Sequence, residues 1–369
     1  MSSFVGLRRI GSVLAALLVA SLAVAGCGDS DDDGGGGGGG STIALLLPEN
    51  QTPRYEASDR PRFEEKVKEI CPDCEILYSN AAEDASKQQS QVEAALTQGA
   101  DVLVLDPVDA ASAAASVEKA RQQDVPVLSY DRLILGADVE VYVSFDNEKV
   151  GELQGESLTK KLKEDGSPKG PVVMISGDPA DSNAALFKKG AMSVFDAEGV
   201  EVAKSYDTPG WLASNAQNEM QQAITALGKD GFAGVYAAND DTAGGAIAAL
   251  KSAGIDPAER PVTGQDATVA GLQRILVGQQ YMTIYKAYKP EASISAEIAI
   301  DLAEGKEIPQ DKVTDELDNE KEKGPSILLT PIAVTKDNIK GTVIADEEVS
   351  PDELCTGPYA QACKEAGIS

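Results

Sequence analysis

Not one histidine occurs in this 369-residue chain. The gap removes the commonest general base, the Ser-His-Asp and Cys-His nucleophile systems, and histidine-containing zinc sites together. Carboxylate or lysine chemistry remains open, but the balance moves from enzyme toward binding protein. Basic residues are also scarce: 32 Lys and Arg face 60 Asp and Glu, a formal net charge of −28. Such a surface repels nucleic acid and anionic lipid, so neither a nucleic-acid partner nor polybasic membrane docking is expected, and the charge serves solubility. The apolar run at 10–24 falls short of the about 20 residues that span a bilayer.

What is present reads as an ordinary soluble protein, 42% hydrophobic and 25% charged, with enough length for two lobes. Arg8 and Arg9 precede the apolar run, which ends in Ala25, Gly26 and Cys27. A basic start, a short apolar stretch and small residues describe a signal peptide over 1–26. The ending Leu22-Ala23-Val24-Ala25-Gly26-Cys27 resembles a bacterial lipobox, which implies lipidation of Cys27 and anchoring to the outer face of the cytoplasmic membrane. Residues 27–42 then form an Asp- and Gly-rich leash that cannot bury apolar surface. Two motifs inside it carry nothing. Asp29-x-Asp31-x-Asp33-Gly34 opens like a calcium loop but has Gly40 where a bidentate Glu is needed, and the glycine run fits a dinucleotide fingerprint without a preceding strand. Four further cysteines in an exported chain most simply pair locally, Cys71 with Cys74 and Cys355 with Cys363, and no metal site or cofactor is expected.

From residue 43 short apolar runs alternate with helical stretches. Strands are expected at 43–47, 75–78, 102–105, 125–130, 141–145, 172–175, 200–203, 234–238, 262–264 and 282–285, with helices such as 85–97 and 110–122 between them. Continuous apolar strands covered by helices mean an α/β fold of βαβ units with parallel sheets. Ligands of such sheets sit at the carboxyl ends of the strands. Polar residues gather there: Asp131 and Arg132, Asp146 and Asn147, Asp178 to Asn183, Asn239 to Asp241, Asp266 and Lys286.

Several of these stretches resemble the D-xylose-binding proteins of ABC importers, a branch of the ribose-binding-like, type I solute-binding proteins. The stretches are Val127-Leu128-Ser129-Tyr130-Asp131-Arg132, Ser144-Phe145-Asp146-Asn147-Glu148-Lys149-Val150-Gly151, Asn239-Asp240-Asp241-Thr242-Ala243-Gly244-Gly245, Gly264-Gln265-Asp266, Thr283-Ile284-Tyr285-Lys286 and Leu328-Leu329-Thr330-Pro331-Ile332. The resemblance covers about 43–344. It implies two Rossmann-like lobes joined by three crossings near Asn147, Tyr285 and Pro325: an N-terminal lobe of 43–146 plus 286–325 and a C-terminal lobe of 147–285 plus 326–369. It further implies binding residues at Arg54, Asp131, Arg132, Asp181, Asn183, Trp211, Asn239, Asp266 and Lys286, a monomer, a sugar held between the lobes, and importer membrane subunits as partner. The chain departs from its relatives at Tyr55, where they carry Trp, and in an extra residue within 51–59. Tyr55 and Asp178 are therefore the expected tuners of sugar choice.

These residue types suit a sugar. Trp211, the one tryptophan, offers a flat face to a pyranose ring and Tyr55 could close the other side. Asp131, Asp181 and Asp266 accept, Arg54, Arg132 and Lys286 donate, and Asn183 and Asn239 do both. Three rivals remain: a binding protein or sensing receptor component for another sugar, such as ribose, arabinose or glucose; the ligand-binding domain of a transcription regulator, opposed by the signal peptide, the acidic charge and the lack of a basic helix-turn-helix segment; and a glycosidase built on Asp240-Asp241, opposed by the adjacency of the pair.

Overall fold

The computed structural model describes residues 40–368. The expected signal peptide, Cys27 and most of the leash lie outside the described residues. The chain begins with β1 (Thr42–Leu47), α1 (Arg60–Ile70), β2 (Glu75–Asn80), α2 (Ala85–Thr97), β3 (Val102–Leu105), α3 (Ala114–Arg121), β4 (Val127–Tyr130) and β5 (Val141–Phe145). It continues through α4 (Asn147–Glu164), β6 (Val172–Ser176), α5 (Ser182–Glu198), β7 (Val202–Asp207), α6 (Ala213–Leu227), β8 (Gly234–Ala237), α7 (Asp240–Ser252), α8 (Val269–Leu276) and β9 (Thr283–Tyr285). α9 (Tyr288–Ala303), β10 (Asp315–Asp318), β11 (Lys323–Leu329), β12 (Ile332–Val334), α10 (Pro351–Leu354) and α11 (Ala360–Glu365) complete it.

The first sheet runs β10-β11-β5-β4-β3-β1-β2, parallel except at β10. Its strands are apolar on both faces because both are covered. Ile43, Leu45 and Leu47 pack with Phe63 and Val67 of α1 and Ala292 and Ala296 of α9. Ala44 and Leu46 point the other way, into Val92 of α2 and Val117 of α3. The second sheet repeats the device: Val173 and Ile175 meet α6 and α7, whereas Val172 and Met174 meet α4 and α5. Its order is β7-β6-β8, extended by a parallel bridge from Val235 to Val262 and then by the antiparallel pair β9-β12. In both sheets the first strand of the unit lies between the second and third, so each has a switch point at its carboxyl edge.

The chain passes between the sheets after β5, after β9 and after β11. The third passage departs from the boundary expected at Pro325. β11 runs on to Leu329, pairing Ser326 to Leu329 with Tyr142 to Phe145 of β5, so residues 326–329 belong to the first sheet and the passage falls at Thr330 and Pro331. Two smaller differences have local causes. α3 starts at Ala114 rather than 110, because the Asp109 side chain accepts from Ser112 N and holds a turn there. Within 51–59, where an extra residue is expected, the chain forms a π-type turn, Tyr55–Asp59, which leads directly into α1. Cys71 is bonded to Cys74 and Cys355 to Cys363. The second bond closes a C-terminal segment whose Ile339, Val343 and Leu354 pack on Leu272 and Ile275 of α8.

Candidate functional site

Between the carboxyl edges of the two sheets lies a cavity of about 280 Å³. That volume includes space open to solvent, and the lining around it is mostly polar. All ten residues expected from the sequence line it: Arg54, Tyr55, Asp131, Arg132, Asp181, Asn183, Trp211, Asn239, Asp266 and Lys286. Asp178 does not. Its carboxylate accepts from the backbone N–H groups of Ala180 and Gly210, so it braces the turns that present Asp181 and Trp211.

From the first lobe, Arg54 and Tyr55 sit at the start of the π-type turn. Arg54 Nε and Nη2 grip Asp59 at 2.9 and 2.7 Å, Nη2 also donates to Glu291 at 2.8 Å, and Nη1 donates to Asp131 at 2.9 Å. Four of its five N–H groups are thus committed to the protein, and its plane lies 4.2 Å from the Tyr288 ring. Tyr55 Oη donates to the other oxygen of Asp131 at 3.1 Å. Burial works against ionised Asp131, but Arg54, Lys286 and Arg132 outweigh it and hold the carboxyl below its usual range. The Asp131 carbonyl accepts from Ser144, Tyr142 and Asn183, which fixes the loop after β4.

The second lobe supplies the facing wall. Asp181 caps α5 by accepting from Asn183 N at 2.8 Å, and its other oxygen accepts from Trp211 Nε1 at 3.2 Å. Asn239 caps α7 through its Oδ1, leaving the Nδ2 end for a ligand. Lys286 Nζ stands 3.3 Å from Asp266, which also accepts from Tyr288 Oη at 3.1 Å. Four contacts cross the gap here: the Arg132–Asp181 ion pair at 3.1 Å, and hydrogen bonds from Asn183 Nδ2 to the Asp131 carbonyl at 2.9 Å, from Tyr142 Oη to Asn183 Oδ1 at 3.2 Å and from Ala110 N to the Ala180 carbonyl at 3.0 Å. The lobes are closed on each other.

Thr52, Phe187 and Gln265 also line the cavity and were missed in the sequence. Phe187 was legible in principle, being four residues after Asn183 on the same helix face. Gln265 lay inside a quoted motif, and its Oε1 is buried with no partner among the described residues. Gly177 was not legible: a Cβ there would stand 1.9 Å from Trp211 Cη2, so its absence gives the indole its seat. Chemically the cavity pairs carboxylates, guanidinium, ammonium and amides with an indole, a donor and acceptor set for a neutral polyhydroxylated ring.

Residues 43–307 match the family model described as a periplasmic binding protein domain. The D-xylose-binding periplasmic protein of Escherichia coli is 39% identical over 85% of this chain and 92% of its own length. Its counterpart from Haemophilus influenzae is also 39% identical, over 82% and 89%. Among solved structures, an ABC transporter solute-binding protein from Clostridium phytofermentans with bound β-D-glucose superposes with a TM-score of 0.77 at 30% identity, covering 85% of this chain and all of that one. The chain belongs to the periplasmic binding protein family, in its type I form.

Proposed function

We propose that this protein is the exported sugar-capturing component of an ABC importer, and that the cavity takes one monosaccharide ring, D-xylose. The observation that carries the reading is the convergence of all ten expected residues on one small interlobe cavity. Around that cavity charged donors and acceptors alternate with the Trp211 face, and D-xylose-binding relatives are 39% identical across nearly their whole length. The sugar bridges both lobes, favours the closed form over the open one, and so marks the loaded protein for the membrane subunits. It is bound without being transformed. Lipidation at Cys27 keeps the protein, a monomer, at the outer face of the cytoplasmic membrane.

A thermal-shift panel of pentoses and hexoses tests the ligand, since a molecule that binds only the folded state raises the apparent melting temperature. D-Xylose is expected to give the largest shift, and calorimetry is expected to show Asp266→Ala weakening it by about ten- to a hundredfold, the effect of leaving a buried hydroxyl unpaired. A shift with a different sugar alone would replace D-xylose, and no shift with any sugar would remove the reading.

A further inference from the structure

Asp106 follows β3 and is fully buried, yet neither of its carboxyl oxygens has a hydrogen-bond partner among the described residues. It does not line the cavity. A bare buried carboxyl is costly, and each such group asks for a reason. Its nearest cation is Arg132, whose Nε lies 3.7 Å from Asp106 Oδ1 and 3.1 Å from Asp181 Oδ2. The Nε–H is aimed well enough at neither to make a hydrogen bond. The rest of the guanidinium is tied to the first lobe, through Nη1 to the Pro107 carbonyl and Nη2 to Tyr55 Oη, both at 3.3 Å. Asp106 stands on that same lobe, whereas Asp181 stands on the other.

Opening the cleft takes Asp181 away and leaves Arg132 beside Asp106, within a shift of less than an ångström of a full ion pair. We propose that Asp106 is the resting partner of Arg132 in the open form, and that closing on a ligand hands Arg132 to Asp181 while Asp106 takes up a proton from solvent. Asp106 is then a positioning residue that keeps Arg132 ready without touching the ligand. Charge balance points the same way. Arg54, Arg132 and Lys286 face the buried carboxyls of Asp59, Asp106, Asp131, Asp181, Asp266 and Glu291, too few cations to leave every one ionised. The charged groups acting on Asp106 are Asp131 and Arg132 after β4, Arg54 before α1 and Asp181 before α5; burial, then Asp131, raise its affinity for a proton, and Arg132 opposes them.

The inference rests on the proposed monosaccharide binding and predicts a proton count. Because the chain has no histidine, protons exchanged near pH 7 come from carboxyls. Besides Asp106, burial pushes Glu83 and Asp241 up to about 7 and Asp240 up to about 6, and also raises Glu49, Asp181 and Glu291. Calorimetry of D-xylose binding in phosphate and in Tris, which differ in ionisation enthalpy, gives the number of protons taken up. The wild-type protein is expected to take up protons, with affinity falling as pH rises from 6 to 8 by at most about tenfold per unit for one proton. Asp106→Asn keeps the shape and removes the titration, so it is expected to bind with a smaller uptake and a flatter pH profile. Binding by the wild type without proton uptake overturns the proposal with no variant needed, as does equal uptake in Asp106→Asn. No binding of any sugar would instead remove the reading on which it rests.

Discussion

Three cavity residues hold backbone conformations that their side chains disfavour. Asp131, Trp211 and Asp266 have φ of 53°, 55° and 91°, the left-handed region where a Cβ crowds the chain. Each costs on the order of 1–3 kcal/mol and persists only where the surroundings impose it. Here they do: the Asp131 carbonyl is held by three donors, and Asp178 pins Gly210 beside Trp211. The strain turns these side chains into the gap instead of along the sheet edge. Gly177 shows how narrowly the indole is placed. Gly177→Ala puts a methyl group 1.9 Å from Trp211 Cη2 and must move the ring. We expect sugar affinity to fall about tenfold, the worth of one well-placed aromatic face, while thermal unfolding stays cooperative. Calorimetry beside a melting curve separates the two effects.

At the level of elements, α4 and α5 approach unusually closely. A Cβ at Gly151 would lie 2.0 Å from the Phe187 carbonyl oxygen, and one at Gly190 equally near that of Glu148. The two glycines let the helix backbones touch, and α5 carries Asp181, Asn183 and Phe187 at its start. Gly151→Ala should therefore do two things. Overpacking should lower the unfolding free energy by about 1–3 kcal/mol in urea titrations, and tilting α5 should weaken sugar binding as well. Unchanged stability and affinity would mean that the helices part freely. The helix-covered parallel strands were legible in the sequence because burial on both faces writes them as unbroken apolar runs. β10 was not: Asp-Glu-Leu-Asp at an exposed antiparallel edge has no such run, and β12 is three residues long. Missing β10 and β11 also misplaced the third passage. The cavity itself was largely legible, because its residues follow strand ends in the chain. What was hidden depends on distant partners, as with Gly177 under Trp211, Glu291 under Arg54, and Asp106 behind Arg132.

For the whole molecule, closure rests on few direct ties. Besides the four at the cavity, Tyr288 Oη reaches Asp266, and Glu348 of the C-terminal segment reaches Ser58 and Arg62 of the first lobe, the latter at 3.1 Å. Ties so few allow a ligand with modest differential affinity to shift the balance of open and closed forms. One of them doubles as a clock. The amide of Ala110 is bonded to the Ala180 carbonyl across the gap, and the residue is 3% exposed. Its hydrogen can exchange with deuterium only when the lobes part, whereas the amide of Leu103, bonded to Pro126 inside the first sheet, needs deeper unfolding. Without sugar, Ala110 should exchange faster than Leu103, and saturating sugar should slow exchange at Ala110 by at least tenfold. Unchanged exchange at Ala110 under saturating sugar would mean that the sugar does not hold the cleft shut. A single backbone position thus reports, in a full-length unlabelled protein, how often the trap opens while it waits.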